Sequence, residues 1–260
     1  MARRWTTEEE LRFKAELETL YLKKNLTIAE IGRTLNIAES SVYDRLVRLG
    51  IPSCRSQKKR FNNRRTDVQI PKVYSRDLAE LFGVLLGDGH ISYFQVIVTL
   101  GTKEMTYARY VKRLIARVFG GVPKISIQRD GNKTVYLGST EATGWLLANG
   151  LVKHKVHEQV DIPAWIFQKP AYMRAFLRGF FDTDGSVYRL RFGVQLAFIN
   201  YSRPLLRSLH RMLQVLGYNP SAISGRRIYI TRIPSITAFF KEVDPANQKH
   251  QCRFKIFMRR

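Results

Sequence analysis

Two nine-residue segments end in the same Asp-Gly pair, and their aspartates are the residues best suited to hold a metal. Residues 81–89, LFGVLLGDG, recur 96 positions later as 177–185, LRGFFDTDG. Each copy has small residues at every fourth position, which gives a helix one smooth face for close packing against a second helix. Parallel packing would bring Asp88 and Asp184 together at the two helix ends. The small residues are Ala79, Gly83, Gly87, Ala175, Gly179 and Thr183.

Two carboxylates at that place repel each other and face the negative ends of both helix dipoles. A divalent cation between them would relieve both penalties, so the pair predicts a site for a hard, oxygen-ligated metal ion. Gly87 and Thr183, which precede the aspartates, are the further candidates for this site. A single copy would be explained as well by a glycine-capped helix with an incidental aspartate. Two matching copies disfavour that explanation.

The repeat extends beyond the motif. After each copy the sequence predicts an alternating strand, a helix that ends at Phe119-Gly120 or Leu216-Gly217, and a second strand region. Residues 77–260 therefore divide into two halves, 77–172 and 173–260.

These residues resemble the LAGLIDADG homing endonucleases, in the form that carries both motifs on one chain. Both copies keep the middle glycine and the final Asp-Gly, and the first departs by having Leu86 where the family often has an acid. The resemblance implies an α+β fold of two pseudo-symmetric αββαββα halves that form a DNA-binding saddle. It further implies a site-specific double-strand DNA endonuclease whose Mg²⁺ is bound by Asp88 and Asp184. Mn²⁺ should substitute for Mg²⁺, and Ca²⁺ should bind without cleavage. Asp182 is then a helix-end or supporting residue.

Two further segments resemble the parts of the family that place a basic residue near the cleavage centre. They are 150–166, GLVKHKVHEQVDIPAWI, and 243–254, VDPANQKHQCRF. Lys155 and Lys249 are the candidate catalytic lysines, with Lys153 as the alternative. An ammonium group there would polarise the attacking water or stabilise charge on the pentacoordinate phosphate. The same lysines also fit an ordinary phosphate-contacting or solvated role.

Four alternating segments predict strands with one apolar face and one polar face suited to base edges in the major groove. One of them is a continuous strand over 187–198. A hairpin at Asp130-Gly131 is predicted to place three further polar side chains on one side. The candidate DNA contacts are Tyr93, Gln95, Thr99, Lys124, Ser126, Gln128, Arg189, Arg191, Gln195, Arg227, Tyr229 and Thr231.

Residues 1–50 predict a small three-helix domain that resembles a helix-turn-helix. Thr7 caps the first helix, Thr27 with Glu30 forms a capping box for the second, and Ser40 or Ser41 caps the third. A tight turn at Asn36-Ile37 joins the last two helices, and Val42, Leu46, Val47 and Leu49 point inward. The candidate DNA contacts on the third helix are Ser41, Tyr43, Arg45 and Arg48. A three-helix bundle used for protein contacts is the alternative.

The net charge of +23 favours a polyanionic partner, nucleic acid before an anionic membrane surface. Residues 51–76 hold eight basic residues and one acidic residue, which predicts a basic linker that follows the DNA backbone. Arg60, Arg64 and Arg65 are its candidate phosphate contacts. A solvated spacer explains the same composition.

Several classes are excluded. The longest apolar run is far shorter than the roughly 20 residues of a membrane span, and the N-terminus lacks the apolar stretch of a secretory signal. Cys54 and Cys252 are isolated, so neither a disulfide framework nor a CxxC metal site is predicted. We expect an intracellular monomer, in cytoplasm, nucleoid or organelle matrix, that binds a long asymmetric duplex site without a membrane or protein partner.

A non-cleaving nucleic-acid-binding protein of the same fold, such as an intron RNA maturase or a DNA-binding regulator, is the rival hypothesis. Retention of both Asp88 and Asp184 favours the nuclease, because a pure binder does not need two mutually repelling acids.

Overall fold

The computed structural model describes residues 7–24, 26–51, 65–155, 157–191 and 193–258. The chain divides into two compact units, with the boundary between Phe61 and Asn62. The predicted α+β class is confirmed, since the second unit combines helices with two antiparallel sheets. Within the described ranges, no helix is both long enough and apolar enough to cross a bilayer.

The described part of the first unit contains three α-helices around a small core. They are α1 (Thr7–Glu18), which continues into a π-helical turn (Thr19–Lys23), α2 (Ile28–Thr34) and α3 (Glu39–Arg48). The predicted capping box is confirmed: the Thr27 amide donates to the Glu30 carboxylate at 2.7 Å, and the Glu30 amide donates to the Thr27 hydroxyl at 3.2 Å. Asn36 adopts φ 51° in the turn between α2 and α3. The core residues are Leu17, Leu20, Tyr21, Ile31, Val42, Leu46 and Ile51.

Two predictions about α3 are wrong. The helix begins at Glu39 after an extended Ala38, so neither Ser40 nor Ser41 is its cap. Val47 is 63% exposed rather than inward. It lies about 100° around the helix from buried Leu46, and the narrow apolar stripe of a short helix does not extend that far.

The first half of the second unit has the predicted αββαββα order. Its elements are α4 (Arg76–Leu86), β1 (Gly89–Ile91), β2 (Gln95–Leu100), α5 (Met105–Phe119), β3 (Lys124–Ile127), β4 (Lys133–Gly138) and α6 (Thr140–Ala148). The four strands form an antiparallel sheet in the order β1-β2-β4-β3. Its inner face is apolar, with Val96 and Val98 of β2 beside Val135 and Leu137 of β4, all in the main core.

The second half departs from that order by one strand. Its elements are α7 (Pro170–Asp184), β5 (Gly185–Leu190), β6 (Gly193–Ile199), α8 (Arg203–Val215), β7 (Arg227–Ile230), α9 (Ile233–Glu242) and α10 (Gln248–Met258). The three strands pair in the order β5-β6-β7. The segment before β7 contributes only isolated bonds, such as the Ser221 amide to the Tyr229 carbonyl at 2.7 Å. Pro220, next to it, has no amide to donate to a ladder.

The prediction of one continuous strand over 187–198 is also wrong. The segment is a hairpin in which Leu190 pairs with Gly193. The inward positions are therefore odd-numbered in β5, as at Val187, and even-numbered in β6, as at Val194. An alternation followed straight through such a turn assigns one of the two strands to the wrong face.

Residues 65–76, the described part of the basic segment, lie on the second unit. Val68 is buried in its core, and the Gln69 amide donates to the Phe119 carbonyl at 2.7 Å. The Tyr74 ring stacks on Trp165 with centroids 4.3 Å apart. This part of the segment is packed against folded structure rather than spanning solvent.

Candidate metal centre and nucleic-acid interface

The two motif helices, α4 and α7, pack backbone to backbone through their glycines. A Cβ built on Gly83 would lie 2.2 Å from the Phe176 carbonyl oxygen, and one on Gly179 would lie 2.1 Å from the Glu80 carbonyl oxygen. Further along both helices, a Cβ on Gly87 would meet the Thr183 hydroxyl at 2.0 Å. The contacts advance in the same direction on both helices, so the helices are parallel and their C-terminal ends lie together.

This packing brings together the neighbourhoods of Asp88 and Asp184. A Cβ built on Gly87 would lie only 3.5 Å from the Asp184 carboxyl carbon. Burial first, and the charge of Asp88 second, raise the pKa of Asp184 to about 6 against the opposing effects of the Asn200 hydrogen bond and Lys155. Asp88 is exposed to solvent on one side. Partial desolvation by the surrounding protein still raises the pKa of its carboxyl group, and the positive charge of Lys249 opposes that rise. Two acids with raised pKa values at one place form a centre suited to a cation.

Lys155 lies at the end of α4, within the electrostatic reach of both acids. Its ammonium donates to the carbonyls of Leu85 at 3.1 Å and Leu86 at 3.2 Å, and also to the Gly87 carbonyl. Burial lowers the pKa of Lys155, and the charges of Asp184 and Asp88 oppose that change. The Gly87 carbonyl, a candidate metal contact, therefore already accepts a hydrogen bond from a cation.

Lys249 lies in the first turn of α10 and has a carboxylate partner. Its ammonium is 2.8 Å from Oε1 of Glu104, the residue that precedes α5. Of the charged groups around Asp88, Lys249 has the largest effect on the pKa of that acid. Lys153, the alternative candidate, instead lies 3.4 Å above the exposed Tyr93 ring.

Thr183 and Asp182 have structural partners. The buried Thr183 hydroxyl donates to the carbonyls of Gly179 and Phe180 at 3.1 and 3.0 Å. Asp182 accepts the amides of Ala246 at 2.8 Å and Asn247 at 3.0 Å, and burial raises its pKa to about 8. Among the described residues, no three His, Cys, Asp or Glu side chains cluster as a metal-binding group. The candidate centre is a pair of carboxylates.

Asn200 is a site residue that the sequence analysis missed. Its side-chain amide donates to the Asp184 carboxylate at 2.9 Å, and it follows the last residue of β6. Sixteen positions separate the two residues, and no local pattern links them. The antiparallel pairing of β5 with β6 is what brings them together.

The exposed face of the first sheet starts beside Asp88. The Thr99 amide donates to the Asp88 carbonyl at 3.3 Å, which extends the β1–β2 register to the aspartate. Predicted residues Gln95, Thr99, Lys124 and Ser126 lie on this face, and Gln128 donates to Thr134 at 2.8 Å beside them. The hairpin predicted at Asp130-Gly131 is present. A row across the sheet runs from His90 through Ile97 and Tyr136 to the predicted Lys124, and its first three residues were not predicted.

The exposed face of the second sheet holds Gln195, Tyr229 and Arg227 as predicted, together with Ser186 and Tyr188. Arg189 does not share this face, because it pairs with buried Val194, whereas Gln195 pairs with Tyr188. Arg191 lies outside the paired strands, and Thr231 is exposed after β7.

The candidate contacts in the rest of the chain have varied environments. Tyr43 and Arg48 are exposed on α3, and Ser41 is partly exposed. Arg45 is partly buried, with its guanidinium 5.9 Å from the Phe13 ring centroid. Arg65 forms an ion pair with Asp67 at 2.5 Å. Arg60 and Arg64 lie outside the described residues.

The chain is similar to several known proteins. Replication factor C small subunit of Methanocaldococcus jannaschii is 31% identical over 115 residues, which are 44% of this chain and 6% of that protein. The chain thus matches only a small fraction of the length of this curated relative. Among solved structures, a variant of I-SmaMI aligns with a TM-score of 0.49 and 14% identity, over 71% of this chain and 91% of that one.

Two further solved structures align comparably. I-WcaI bound to its DNA recognition sequence gives a TM-score of 0.48 and 15% identity, over 70% of this chain and 88% of that one. The N-terminal LAGLIDADG domain of DUF199/WhiA gives 0.47 and 16%, over 70% and 89%. A family model also matches the sequence: residues 171–240, which include α7 and Asp184, match the LAGLIDADG-like domain. The second half of this chain therefore contains a LAGLIDADG-like domain.

Proposed function

We propose that this chain is a site-specific double-strand DNA endonuclease that depends on a divalent metal. The observation that carries the proposal is the pairing of Asp88 and Asp184, at the adjoining ends of two parallel helices, with an ammonium group near each. Glycine-to-backbone contact between α4 and α7 places the two helix ends close together. The family match supports the proposal at α7.

The donor set fits a hard cation. Carboxylate oxygens are the protein ligands that Mg²⁺ prefers, and Mg²⁺ keeps several waters and binds substrate phosphates, so two carboxylates suffice. When bound, such an ion supplies Lewis-acid stabilisation of the charge that develops on the phosphate. Asp88 and Asp184 would hold the ion, and the ammonium groups of Lys155 and Lys249 would stabilise further negative charge at the reacting phosphate. Mn²⁺ should substitute, and Ca²⁺ should bind without supporting cleavage.

Duplex DNA is the substrate that the surface favours. Residues 77–260 hold 27 basic and 12 acidic residues, and two exposed sheet faces extend from the two aspartates. Strands with polar side chains can read base edges in the major groove. The two faces present different residues, and one sheet has four strands while the other has three. We therefore propose a long site without full palindromic symmetry, bound by a monomer.

The test is selection of cleaved sites from a randomised DNA library with Mg²⁺, followed by assays on the recovered duplex. Asp88→Asn and Asp184→Asn should abolish double-strand cutting while DNA binding in Ca²⁺ stays within a few-fold of wild type. Glu141→Gln, the same type of change at an exposed position on α6, is the matched control and should cut normally. Undiminished cutting by the Asp88→Asn, Asp184→Asn double variant would refute the mechanism.

A non-cleaving DNA-binding protein is the second candidate, and one observation favours it. Lys155 and Lys249 already offset part of the negative charge of the two acids, which a cation would otherwise do. A protein of this kind would bind duplex DNA equally well in EDTA and would recover no cleaved site from the library.

A further inference from the structure

The two lysines near the candidate metal centre are held in different ways. Lys155 is held by main-chain carbonyls at the end of α4. Lys249 is held by the Glu104 carboxylate, whose Oε1 also accepts the Asn247 side-chain amide at 2.7 Å and whose Oε2 accepts the Gly101 amide at 2.7 Å. Burial raises the pKa of Glu104, but these hydrogen bonds, led by that from Lys249, outweigh burial and leave it lowered. Glu104 is therefore a charged partner with both oxygens engaged.

The segment that carries Lys249 is itself anchored. Asp182 accepts the amides of Ala246 and Asn247, and the Asn247 side chain donates to the Asp182 carbonyl at 3.1 Å as well as to Glu104. Leu86 occupies the position of Asp182 in the first motif, and a leucine side chain cannot accept a hydrogen bond. In the part of the chain that the structure describes, this carboxylate anchor therefore exists in one half of the repeat only.

The residues that precede α5 and α8 also differ between the two halves of the repeat, since the first is Glu104 and the second is Ser202. Each contacts the segment that ends the other half of the repeat: Glu104 contacts Asn247 and Lys249, and the Ser202 hydroxyl donates to the Val160 carbonyl at 2.5 Å. A carboxylate therefore faces one lysine-bearing segment, and a neutral hydroxyl faces the other.

We infer that Glu104 is a positioning residue for Lys249 and that it governs the cutting of one DNA strand only. The inference rests on the proposed endonuclease function. Lys249 and Lys155 are non-equivalent, since the ammonium of Lys249 pairs with the Glu104 carboxylate and that of Lys155 donates to main-chain carbonyls at the end of α4. A small displacement of a charged group at a reacting centre costs up to about 100-fold in rate. Loss of the Glu104 carboxylate should therefore slow the strand that depends on Lys249.

The experiment uses the full chain and a duplex recovered from the library, with each strand carrying a different 5′ dye. Lys249→Met identifies the strand that depends on Lys249, and Lys155→Met identifies the other. Glu104→Gln, which keeps the shape of the side chain, should slow the Lys249 strand by about 10- to 100-fold and the other strand by less than about threefold. Asn247→Ala should give the same bias, and Glu104→Asp should restore part of the rate. Ser202→Ala is the matched control and should leave the Lys249 strand unaffected.

A double-variant comparison separates positioning from general damage. In the Lys249→Met background, Glu104→Gln should change neither strand by more than about twofold, because the group that it positions is absent. If the rate effects of Lys249→Met and Glu104→Gln multiplied in the double variant, the inference would be overturned. Equal slowing of both strands by Glu104→Gln, with unchanged thermal melting, would overturn it as well. Equal slowing of both strands by each lysine variant would overturn it too. Failure of the wild-type chain to cut any duplex would instead refute the proposed function.

Discussion

Asp88 and Asp184 occupy matching motif positions but have unequal surroundings. Asp184 accepts a hydrogen bond from Asn200, is more deeply enclosed, and has its pKa raised to about 6. Asp88 reaches solvent, and its pKa responds most to Lys249 among the nearby charges. In the proposed enzyme, Asp184 is therefore the acid whose protonation limits cation binding near neutral pH.

The first prediction concerns pH at the residue scale. A carboxyl must lose its proton to bind a cation, and the raised pKa of Asp184 keeps it protonated below about pH 6. At fixed, subsaturating Mg²⁺ the cleavage rate should fall by about tenfold per unit as pH drops below this value. The measurement is a rate profile from pH 5 to 8, with DNA binding in EDTA over the same range as control. A flat profile down to pH 5 would contradict the prediction.

The second prediction concerns the charge on Lys155. Its ammonium is partly buried and donates to the end of α4, so a neutral side chain there leaves main-chain acceptors without their charged donor. Lys155→Met should lower double-strand cutting by at least about tenfold and should destabilise the fold by about 1–3 kcal/mol. Lys241→Met, at an exposed position near the end of α9, is the control for both measurements. Normal cutting by Lys155→Met would remove this lysine from the proposed machinery.

At the scale of elements, the contact between α4 and α7 determines whether the two acids meet. Both helices have one face of small residues, and their large apolar residues, such as Leu81 and Phe180, are fully buried. The glycine positions are so close to the opposite backbone that even one methyl group has no room. The position of the candidate centre thus depends on glycines, whose lack of a side chain allows the backbones of the two helices to pack in direct contact.

The third prediction tests that interface. Gly83→Ala should destabilise the protein by about 1–3 kcal/mol or more, because the added Cβ would lie 2.2 Å from the Phe176 carbonyl and would force the helices apart. Gly144→Ala on α6, where a Cβ meets nothing within 4 Å, should be neutral or stabilise by up to about 1 kcal/mol. Urea unfolding of both variants is the measurement. Equal stability of the two variants would show that α4 and α7 have room between them for a methyl group.

At the scale of the whole molecule, charge and composition differ between the parts of the chain. Residues 1–50 hold nine basic and eight acidic residues, so electrostatic attraction to DNA must come from the rest of the chain. The exposed Tyr43 and Arg48 on α3 suit a weak additional contact with DNA, which tethering to a bound partner domain would strengthen.

The fourth prediction follows for a chain that lacks residues 1–50. Cleavage chemistry should be retained at saturating protein, while the protected region on DNA shortens on one side and affinity falls. Tyr43→Ala with Arg48→Ala should give the same shortened footprint, and Asp44→Asn is the control on the same helix. Identical footprints of full-length and truncated chains would mean that these residues serve another partner.

The fifth prediction concerns salt. Neutralising Arg60 and Arg64 should weaken binding to all duplexes and reduce the slope of log affinity against log salt by about one for each arginine that binds a phosphate. Arg65→Gln should have a smaller effect, because Asp67 already pairs with this guanidinium. Titrations at several salt concentrations on matched and random duplexes provide the test. An unchanged slope in the Arg60, Arg64 variant would mean that these arginines do not contact phosphates.

The sequence alone determined the features that depend on local spacing. The small face of each motif, the Asp-Gly ending and the capping box at Thr27 are visible within a few residues, because a helix places neighbours three and four positions apart on one face. The two-half division and the candidate acids followed from comparing such local patterns along the chain. The chain has the predicted α+β class with antiparallel sheets.

Only the tertiary structure decided which residues from distant segments meet. Asn200 reaches Asp184, and Glu104 reaches Lys249, through strand pairing and packing across the repeat. The face that Arg189 occupies depends on the register of the β5–β6 hairpin. A shift of one residue in that register would move Arg189 to the opposite face. Such contacts join side chains that are far apart in the sequence, so no local spacing encodes them, and they form only when the whole unit has folded.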